Sequence, residues 1–223
     1  MKYVYPTMIV LSLVVNVIVV LVLARKFKYK VDELVSMIVM NNIGIISGGL
    51  LYTYIVSKGI GFSSLGGVIG GVIFLYLYSL ITKKDYKYIL ILFMPSIPLM
   101  YAIGKIGCFV AGCCYGIPYD GIGHIVYHHS TVAPINTNLF PIQIVETIIF
   151  LSIFIYVIYN YCKKQCSIRL IMKELIICGI AKLLLDFLRY EHTIKLFTVN
   201  QLMCLALIVI SSVYLMKLNK KVR

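Results

Sequence analysis

The sequence predicts an all-α integral membrane protein that crosses the bilayer about seven times. Its 223 residues are 61% hydrophobic, with a mean hydropathy of +0.96, whereas soluble domains are only about half apolar. The apolar residues fall into repeated runs of about 20 residues, which is the length that a helix needs to cross a bilayer core of about 30 Å. We therefore expect one transmembrane domain over residues 1–223.

Each apolar run predicts one helix. The runs are 5–24, 34–57, 65–82, 88–112, 140–161, 174–190 and 197–216. The first run is long enough to span, and it ends in a basic block instead of the small-residue site of a signal peptide. We therefore expect it to remain in the protein as the first membrane-spanning helix.

The basic residues between the runs predict the orientation. If every run spans, four clusters fall on one side: Arg25/Lys26/Lys28/Lys30, Lys83/Lys84/Lys87, Lys163/Lys164/Arg169/Lys173 and Lys217/Lys220/Lys221/Arg223. The positive-inside rule makes that side cytoplasmic, so the N-terminus is expected outside and the C-terminus inside, in a multi-pass membrane protein. Because the net charge of +13 is dispersed between apolar runs, it does not predict a nucleic-acid partner.

One connection is much longer than the others. Residues 115–139 contain no Lys or Arg but include His124, His128 and His129. Loops of this length in compact proteins are usually functional or disordered, and this one is predicted on the extracytoplasmic side, where it is a candidate cover for a site. Its histidines are interpreted either as exposed loop residues or as a source of a general base.

Charged side chains inside the apolar runs mark a candidate site. A charge at membrane depth costs on the order of 2.5–3.5 kcal/mol, so each one requires a partner or a function. Lys182, Asp186 and Arg189 are spaced four and three residues apart, which predicts that they share one helical face. By topology, Lys105, Glu146 and Arg189 lie toward the same, outer half of the membrane.

These positions predict a cationic pocket with carboxylates that orient the cations, suited to a phosphate group carried by a lipid. The alternative is an ion network that only packs the helices together.

Five segments resemble bacterial prolipoprotein diacylglyceryl transferases. Residues 104–116 read GKIGCFVAGCCYG and keep the spacing of the signature segment of that family. The Gly-rich residues 66–71 resemble the third helix of the family, 141–146 resemble its P-S-Q-L-Y-E segment, and 182–189 resemble its R-x-x-x-E-F-F-R helix. Gln201 resembles the Gln that opens its last helix.

The resemblance implies a transferase that moves a diacylglyceryl group from phosphatidylglycerol, or a related phospholipid, to a cysteine thiol of a lipoprotein precursor at the outer face of the bacterial inner membrane. It implies no metal and no cofactor. The catalytic residues that it implies are Lys105, Arg189, Lys182 and Asp186, and the substrate-binding residues are Gly66, Gly67, Gln143, Glu146 and Tyr115. The alternative is a non-catalytic lipid-binding or transport protein that has kept the transferase scaffold.

The chain departs from the family pattern at several of these positions. Lys105 and Lys182 replace arginines, Leu65 replaces a His, and the signature Asn, Asn and Glu are Cys108, Ala111 and Cys113. Arg grips a phosphate through a planar fork that Lys lacks, and the His and Glu are groups that can handle protons. The sequence therefore predicts a divergent member of the family.

The cysteines near residue 110 admit three interpretations. Cys108 with Cys113 or Cys114 could join a loop histidine at a metal, a thiol could act as a nucleophile or redox group, or the side chains could only fill space. Adjacent Cys113 and Cys114 are expected to point in different directions on a helix.

Overall fold

A computed structural model describes residues 4–25, 30–59, 61–163, 167–193 and 198–220. These residues form eight α-helices: α1 Val4–Ala24, α2 Val31–Ser57, α3 Ser64–Thr82, α4 Tyr86–Phe93, α5 Ile97–Ala111, α6 Ile142–Cys162, α7 Ile168–Asp186 and α8 Val199–Lys220. Two short 3-10 helices lie at Met94–Ser96 and Tyr190–Thr193. Within the described ranges, β-structure is limited to isolated bridges.

The all-α, polytopic fold predicted from the sequence is confirmed. Six segments are long and apolar enough to cross a membrane, and one of them, Tyr86–Ala111, combines α4, the first 3-10 helix and α5. The helix changes its hydrogen-bonding pattern at Pro95 and Pro98 without ending the span, because a proline removes one backbone donor. The predicted run that is not among these six spans is α7. Its 19 residues reach across about 28 Å but include several charges.

The orientation, with the N-terminus outside and the C-terminus in the cytoplasm, stays a prediction. Several basic residues that support it lie outside the described residues, as do Cys166 and the side chain of His192. The missing members of the basic clusters are Lys26, Lys28, Lys164, Lys221 and Arg223.

The boundaries predicted for the sixth run are wrong. The run was placed at 174–190, but α7 begins at Ile168, because the Ser167 side chain accepts a hydrogen bond from the Leu170 amide at 3.4 Å and caps the helix. The helix ends at Asp186, and Arg189 follows in a tight turn. The spacing had predicted that Arg189 shares one helical face with Lys182 and Asp186. This prediction is wrong, because Arg189 lies beyond the end of the helix.

Glycines bring α2 and α3 into backbone contact. A Cβ added at Gly70 would lie 2.0 Å from the Gly44 carbonyl oxygen, and one added at Gly48 would lie 2.4 Å from the Gly66 carbonyl oxygen. Small residues of this kind let transmembrane helices approach closely, since apolar side chains gain little from leaving lipid. Gly44, Gly48, Gly66 and Gly70 therefore serve the close packing of α2 against α3.

α5, α6 and α7 lie side by side, with α6 in the middle. α5 packs against α1 and α6, and α7 packs against α6 and α8. Gly107 of α5 gives α1 room, because a Cβ there would lie 2.8 Å from the Met8 Cβ atom. As a result, Lys105, Glu146 and Asp186 lie buried between helices and not at the outside of the bundle.

The long connection between α5 and α6 is tied to the chain just beyond α7. The Ile117 amide donates to the Leu188 carbonyl at 3.1 Å, and the Tyr190 amide donates to the Tyr115 carbonyl at 3.2 Å. These two bonds flank Arg189 and form a bridge between Arg189 and Gly116. The connection thus fixes the backbone of a residue that α7 itself does not hold.

Candidate active site

Glu146 is the centre of the candidate site. Its carboxylate is fully buried, and cations from α5, α7 and the turn after α7 surround it. The Lys105 Nζ atom lies 2.8 Å from Glu146 Oε2, Lys182 Nζ lies 3.2 Å from Oε1, and Arg189 Nη2 lies 2.8 and 3.1 Å from the two oxygens. The convergence of Lys105, Glu146 and Arg189 that the topology predicted is therefore observed.

Asp186 forms the second anionic centre. Its Oδ1 atom lies 2.9 Å from Lys182 Nζ and 3.3 Å from Arg189 Nε, so the predicted pairing of Asp186 with both cations is also observed. Three cations face two carboxylates in this cluster, which leaves one net positive charge. We refer to Lys105, Glu146, Lys182, Asp186 and Arg189 as the ion cluster.

A cavity of about 900 Å³ opens beside the ion cluster. Lys105, Lys182 and Arg189 all line it, whereas Glu146 and Asp186 lie behind them. An ion network that only packed helices together would have no reason to present its cations to a cavity. The arrangement instead leaves the three positive side chains available to an anionic ligand, with the carboxylates holding them in position.

The other predicted substrate-binding residues occupy different places. Gly67 lines the cavity, but Gly66 packs against Gly48 and Tyr52 of α2. Gln143 is buried and donates from Nε2 to the Cys113 carbonyl at 3.0 Å, so it holds the turn after α5. Tyr115 stacks on Tyr190 with ring centroids 5.2 Å apart and is absent from the described cavity wall, so its role stays a prediction.

Tyr101 belongs to the site although the sequence did not single it out. Its hydroxyl donates to Glu146 Oε1 at 2.8 Å and accepts from Arg189 Nη2 at 3.4 Å. Its ring lies 5.1 Å from the Lys105 Nζ atom, within the range of a cation–π contact. The available signal was its spacing, since Tyr101 lies four residues before Lys105 and hence on the same helical face.

Thr198 and Gln201 connect the ion cluster to α8. The Thr198 hydroxyl donates to Asp186 Oδ2 at 2.9 Å, and the Thr198 amide donates to Gln201 Oε1 at 3.1 Å. The Gln201 amide in turn donates to the Thr198 hydroxyl oxygen at 3.3 Å, which completes a capping box. The sequence pattern Thr-x-x-Gln contained this signal, but only Gln201 was predicted.

The loop histidines do not reach the cavity. His124, His128 and His129 are exposed, and within the described chain none of them lines the cavity. His128 bonds Asn136 Oδ1 at 2.9 Å, within the loop. The interpretation as exposed loop residues is therefore favoured over a general base.

Tyr127 of the same loop donates to the Phe109 carbonyl at 2.9 Å, and burial raises its pKa to about 12.

Three cysteines converge at the end of α5. Gly112 adopts a left-handed conformation (φ 70°), which ends the helix and turns Cys113 back so that its amide donates to the Cys108 carbonyl at 3.1 Å. The sulfur atoms of Cys108, Cys113 and Cys114 all lie within 4.8 Å of one another. The expectation that Cys113 and Cys114 point in different directions is therefore wrong, because neither residue is helical. No histidine joins this group in the described part of the chain.

The chain matches a known protein family along almost its whole length. Residues 2–217 match the family model described as prolipoprotein diacylglyceryl transferase. A phosphatidylglycerol–prolipoprotein diacylglyceryl transferase of Clostridium tetani is 32% identical over 93% of this chain and 90% of its own length. A second enzyme of that name from Clostridium perfringens is 26% identical over 98% and 91%, and one from Dehalococcoides mccartyi is 35% identical over 46% and 40%. The ion cluster and cavity thus occur in a chain that belongs to the prolipoprotein diacylglyceryl transferase family.

Proposed function

We propose that this protein transfers a diacylglyceryl group from phosphatidylglycerol, or a related phospholipid, to the cysteine thiol of a lipoprotein precursor. The reaction would take place at the outer face of a bacterial inner membrane, on the side where α5 ends and α6 begins. The observation that carries the proposal is the presentation of Lys105, Lys182 and Arg189 to one cavity by two buried carboxylates. Family membership supports the same reaction.

The charge of the cluster suits the phospholipid substrate. A phosphodiester carries one negative charge, which balances the one net positive charge of the ion cluster. Buried charges are stable only when they are paired, so a substrate of this charge would bind more favourably than a neutral or zwitterionic lipid. One additional negative charge neutralises the ion cluster, and a second would leave it with an unbalanced negative charge.

The cations also suit the transition state. The thiolate sulfur attacks the glycerol carbon that bears the phosphate, a C–S bond forms, and the C–O bond breaks with its electrons leaving on the phosphate oxygen. The leaving glycerol phosphate therefore gains negative charge as the reaction proceeds. Preorganised cations stabilise such developing charge, and Lys105, Lys182 and Arg189 are held by Glu146 and Asp186 before substrate binds.

A direct assay tests the proposal. The purified protein is incubated in nanodiscs with headgroup-labelled phosphatidylglycerol and a lipoprotein-precursor peptide, and lipidated peptide and released glycerol phosphate are measured together. We expect equal amounts of both products, and losses of at least 100-fold in Lys105→Ala and Arg189→Ala. Lys163→Ala is the matched control, because Lys163 lies at the other end of α6 and contacts Tyr159 instead.

The same assay separates the alternative, a non-catalytic lipid-binding or transport protein on the same scaffold. Such a protein would bind phosphatidylglycerol but release no glycerol phosphate. Absence of product from the wild-type protein would overturn the transferase proposal, and product that survives both alanine variants would overturn the roles of the two cations.

A further inference from the structure

The three cysteines after α5 form a compact cluster of soft ligand atoms at the cavity. Cys108 and Cys114 line the cavity that also contains Lys105 and Arg189, and all three sulfur atoms are within 4.8 Å of one another. Sulfur ligands of a tetrahedral zinc ion lie about 2.3 Å from the metal, which places them about 3.8 Å apart. Small side-chain rotations would therefore bring the three thiols to one metal ion.

Two left-handed residues after α5 give the backbone the turn that brings the three cysteines together. Cys108 is on the last turn of α5, whereas Cys113 and Cys114 follow the left-handed Gly112, and Cys114 itself has a φ of 53°. A left-handed conformation at a residue with a side chain is uncommon and persists only where its surroundings fix it. Here Gln143 fixes it by donating to the Cys113 carbonyl at 3.0 Å. The turn is thus held by α6 in the form that brings the sulfurs together.

We propose that Cys108, Cys113 and Cys114 bind one soft divalent metal ion such as Zn²⁺, and that its open fourth position takes the thiol of the acceptor cysteine. The role of the open position in binding the acceptor thiol rests on the proposed transferase function, whereas the metal site itself does not. Three protein ligands with one position left open is the arrangement of catalytic zinc sites, and thiolates select soft ions.

Such a site would supply one means of deprotonating the acceptor thiol, next to the cations that line the cavity. The acceptor thiol must lose its proton before it attacks carbon, but the three loop histidines lie away from the cavity and Leu65 stands on its wall. A thiol that coordinates a metal is deprotonated outright. On binding, the acceptor S–H bond would break, its proton would pass to water, and a metal–sulfur bond would form. In the transfer step the same sulfur would form the C–S bond while glycerol phosphate leaves.

Metal binding is tested on the full-length protein in phosphatidylcholine nanodiscs under reducing conditions. The protein is loaded with Zn²⁺ or Cd²⁺ and dialysed against a weak chelator, and bound metal is measured by elemental analysis and by thiolate-to-Cd²⁺ absorbance. We expect one ion per chain, binding at least tenfold weaker in Cys113→Ser and Cys114→Ser, and no specific binding in the triple serine variant.

Cys162→Ser is the matched control, because Cys162 is an exposed cysteine at the other end of α6. It should keep one ion per chain. A triple variant that still binds one ion, or a wild-type protein that binds none, would overturn the metal site. Since Cys108 is buried, the two single variants at the partly exposed Cys113 and Cys114 decide the question if Cys108→Ser does not fold.

The acceptor role has its own readout. A lipoprotein-precursor peptide should increase the thiolate-to-Cd²⁺ absorbance as a fourth sulfur binds, and the same peptide with serine in place of cysteine should not. Zn²⁺-loaded protein should transfer the diacylglyceryl group at least tenfold faster than metal-free protein. Equal rates, or no change of absorbance with the cysteine peptide, would overturn the acceptor role. Failure of the transferase proposal itself would appear as absence of product in both forms, with the metal count unaffected.

Discussion

Two helix interfaces in this protein are built on opposite principles. α2 and α3 meet through glycines, with a backbone so close that a Cβ at Gly70 would lie 2.0 Å from the Gly44 carbonyl oxygen. α5, α6 and α7 meet through the ion cluster, where one fully buried carboxylate contacts three cations. The first interface depends mainly on shape, and the second depends on charge.

The difference shows which interface serves function. Close approach of helices requires only small residues, which cost little in a membrane. Buried charges cost several kcal/mol each and are seldom needed for packing, so their presence in α5, α6 and α7 indicates a site. Changes in the charged interface should therefore act mainly on activity, and changes in the glycine interface should act mainly on stability.

Glu146→Gln should have the largest effect, because it removes the partner of three cations at once. Loss of one member of a buried ion pair costs about 3–5 kcal/mol, and the displaced cations would no longer be positioned for a phosphate. We expect activity to fall on the order of 100-fold or more and the unfolding temperature in detergent to drop.

Asp186→Asn provides the comparison, since Asp186 contacts two of the three cations. It should cause a smaller loss of activity than Glu146→Gln. A larger loss from Asp186→Asn would show that the order of importance inferred from the contacts is wrong.

Gly70→Ala should have the next largest effect, on stability. The new Cβ would overlap the Gly44 backbone, which cannot move away as a flexible side chain could, and overpacking of this kind typically costs about 1–3 kcal/mol. The loss of stability is measured by thermal unfolding in nanodiscs. We expect the transferase activity per folded molecule to stay unchanged.

Gly104→Ala in α5 is the matched control, because a Cβ there would meet nothing within 4 Å. It should stabilise the helix by up to about 1 kcal/mol. Destabilisation by Gly104→Ala equal to that of Gly70→Ala would mean that the close α2–α3 contact is not the cause.

Much of this architecture was predictable from sequence, because hydropathy and charge act over whole helices. The seven runs predicted helices that the structure contains, and the convergence of Lys105, Glu146 and Arg189 followed from alternating helix direction. The start of α7 was missed because Arg169 and Lys173 resemble a loop in a hydropathy pattern, although Ser167 caps the helix.

The parts that sequence did not predict depend on the rotation of helices and the path of loops. The role of Tyr101 follows from which face of α5 is turned toward Glu146, and a single sequence does not specify that rotation. The cysteine cluster depends on two left-handed residues, Gly112 and Cys114, and Gly112 ends the helix where a continuing one would be expected. Such local reversals are set by caps and by contacts that are distant in sequence.

Gly116→Ala should have an intermediate effect on activity, through Arg189. A Cβ at position 116 would lie 2.3 Å from the Phe140 carbonyl oxygen and would displace the bridge between Gly116 and Arg189. We expect a loss of activity of about tenfold, because a small misplacement of a charged group reduces catalysis strongly.

Ile122→Ala in the same loop is the control, since Ile122 is fully exposed. It should leave activity unchanged. Equal losses in the two variants would show that the loop acts as a whole and not through its bridge to Arg189.

Thr198→Val should have the smallest effect, because it removes one hydrogen bond from Asp186 while leaving both of its cations in place. A hydrogen bond to a charged group is worth about 1.5–3 kcal/mol, but the valine also removes the side-chain cap of α8, so part of the cost will appear as lower stability. We expect a several-fold loss of activity and a modest drop in unfolding temperature. Thr198→Ser, which keeps the hydroxyl, should restore both, and failure of serine to do so would mean that the methyl group of Thr198 matters more than its bond to Asp186.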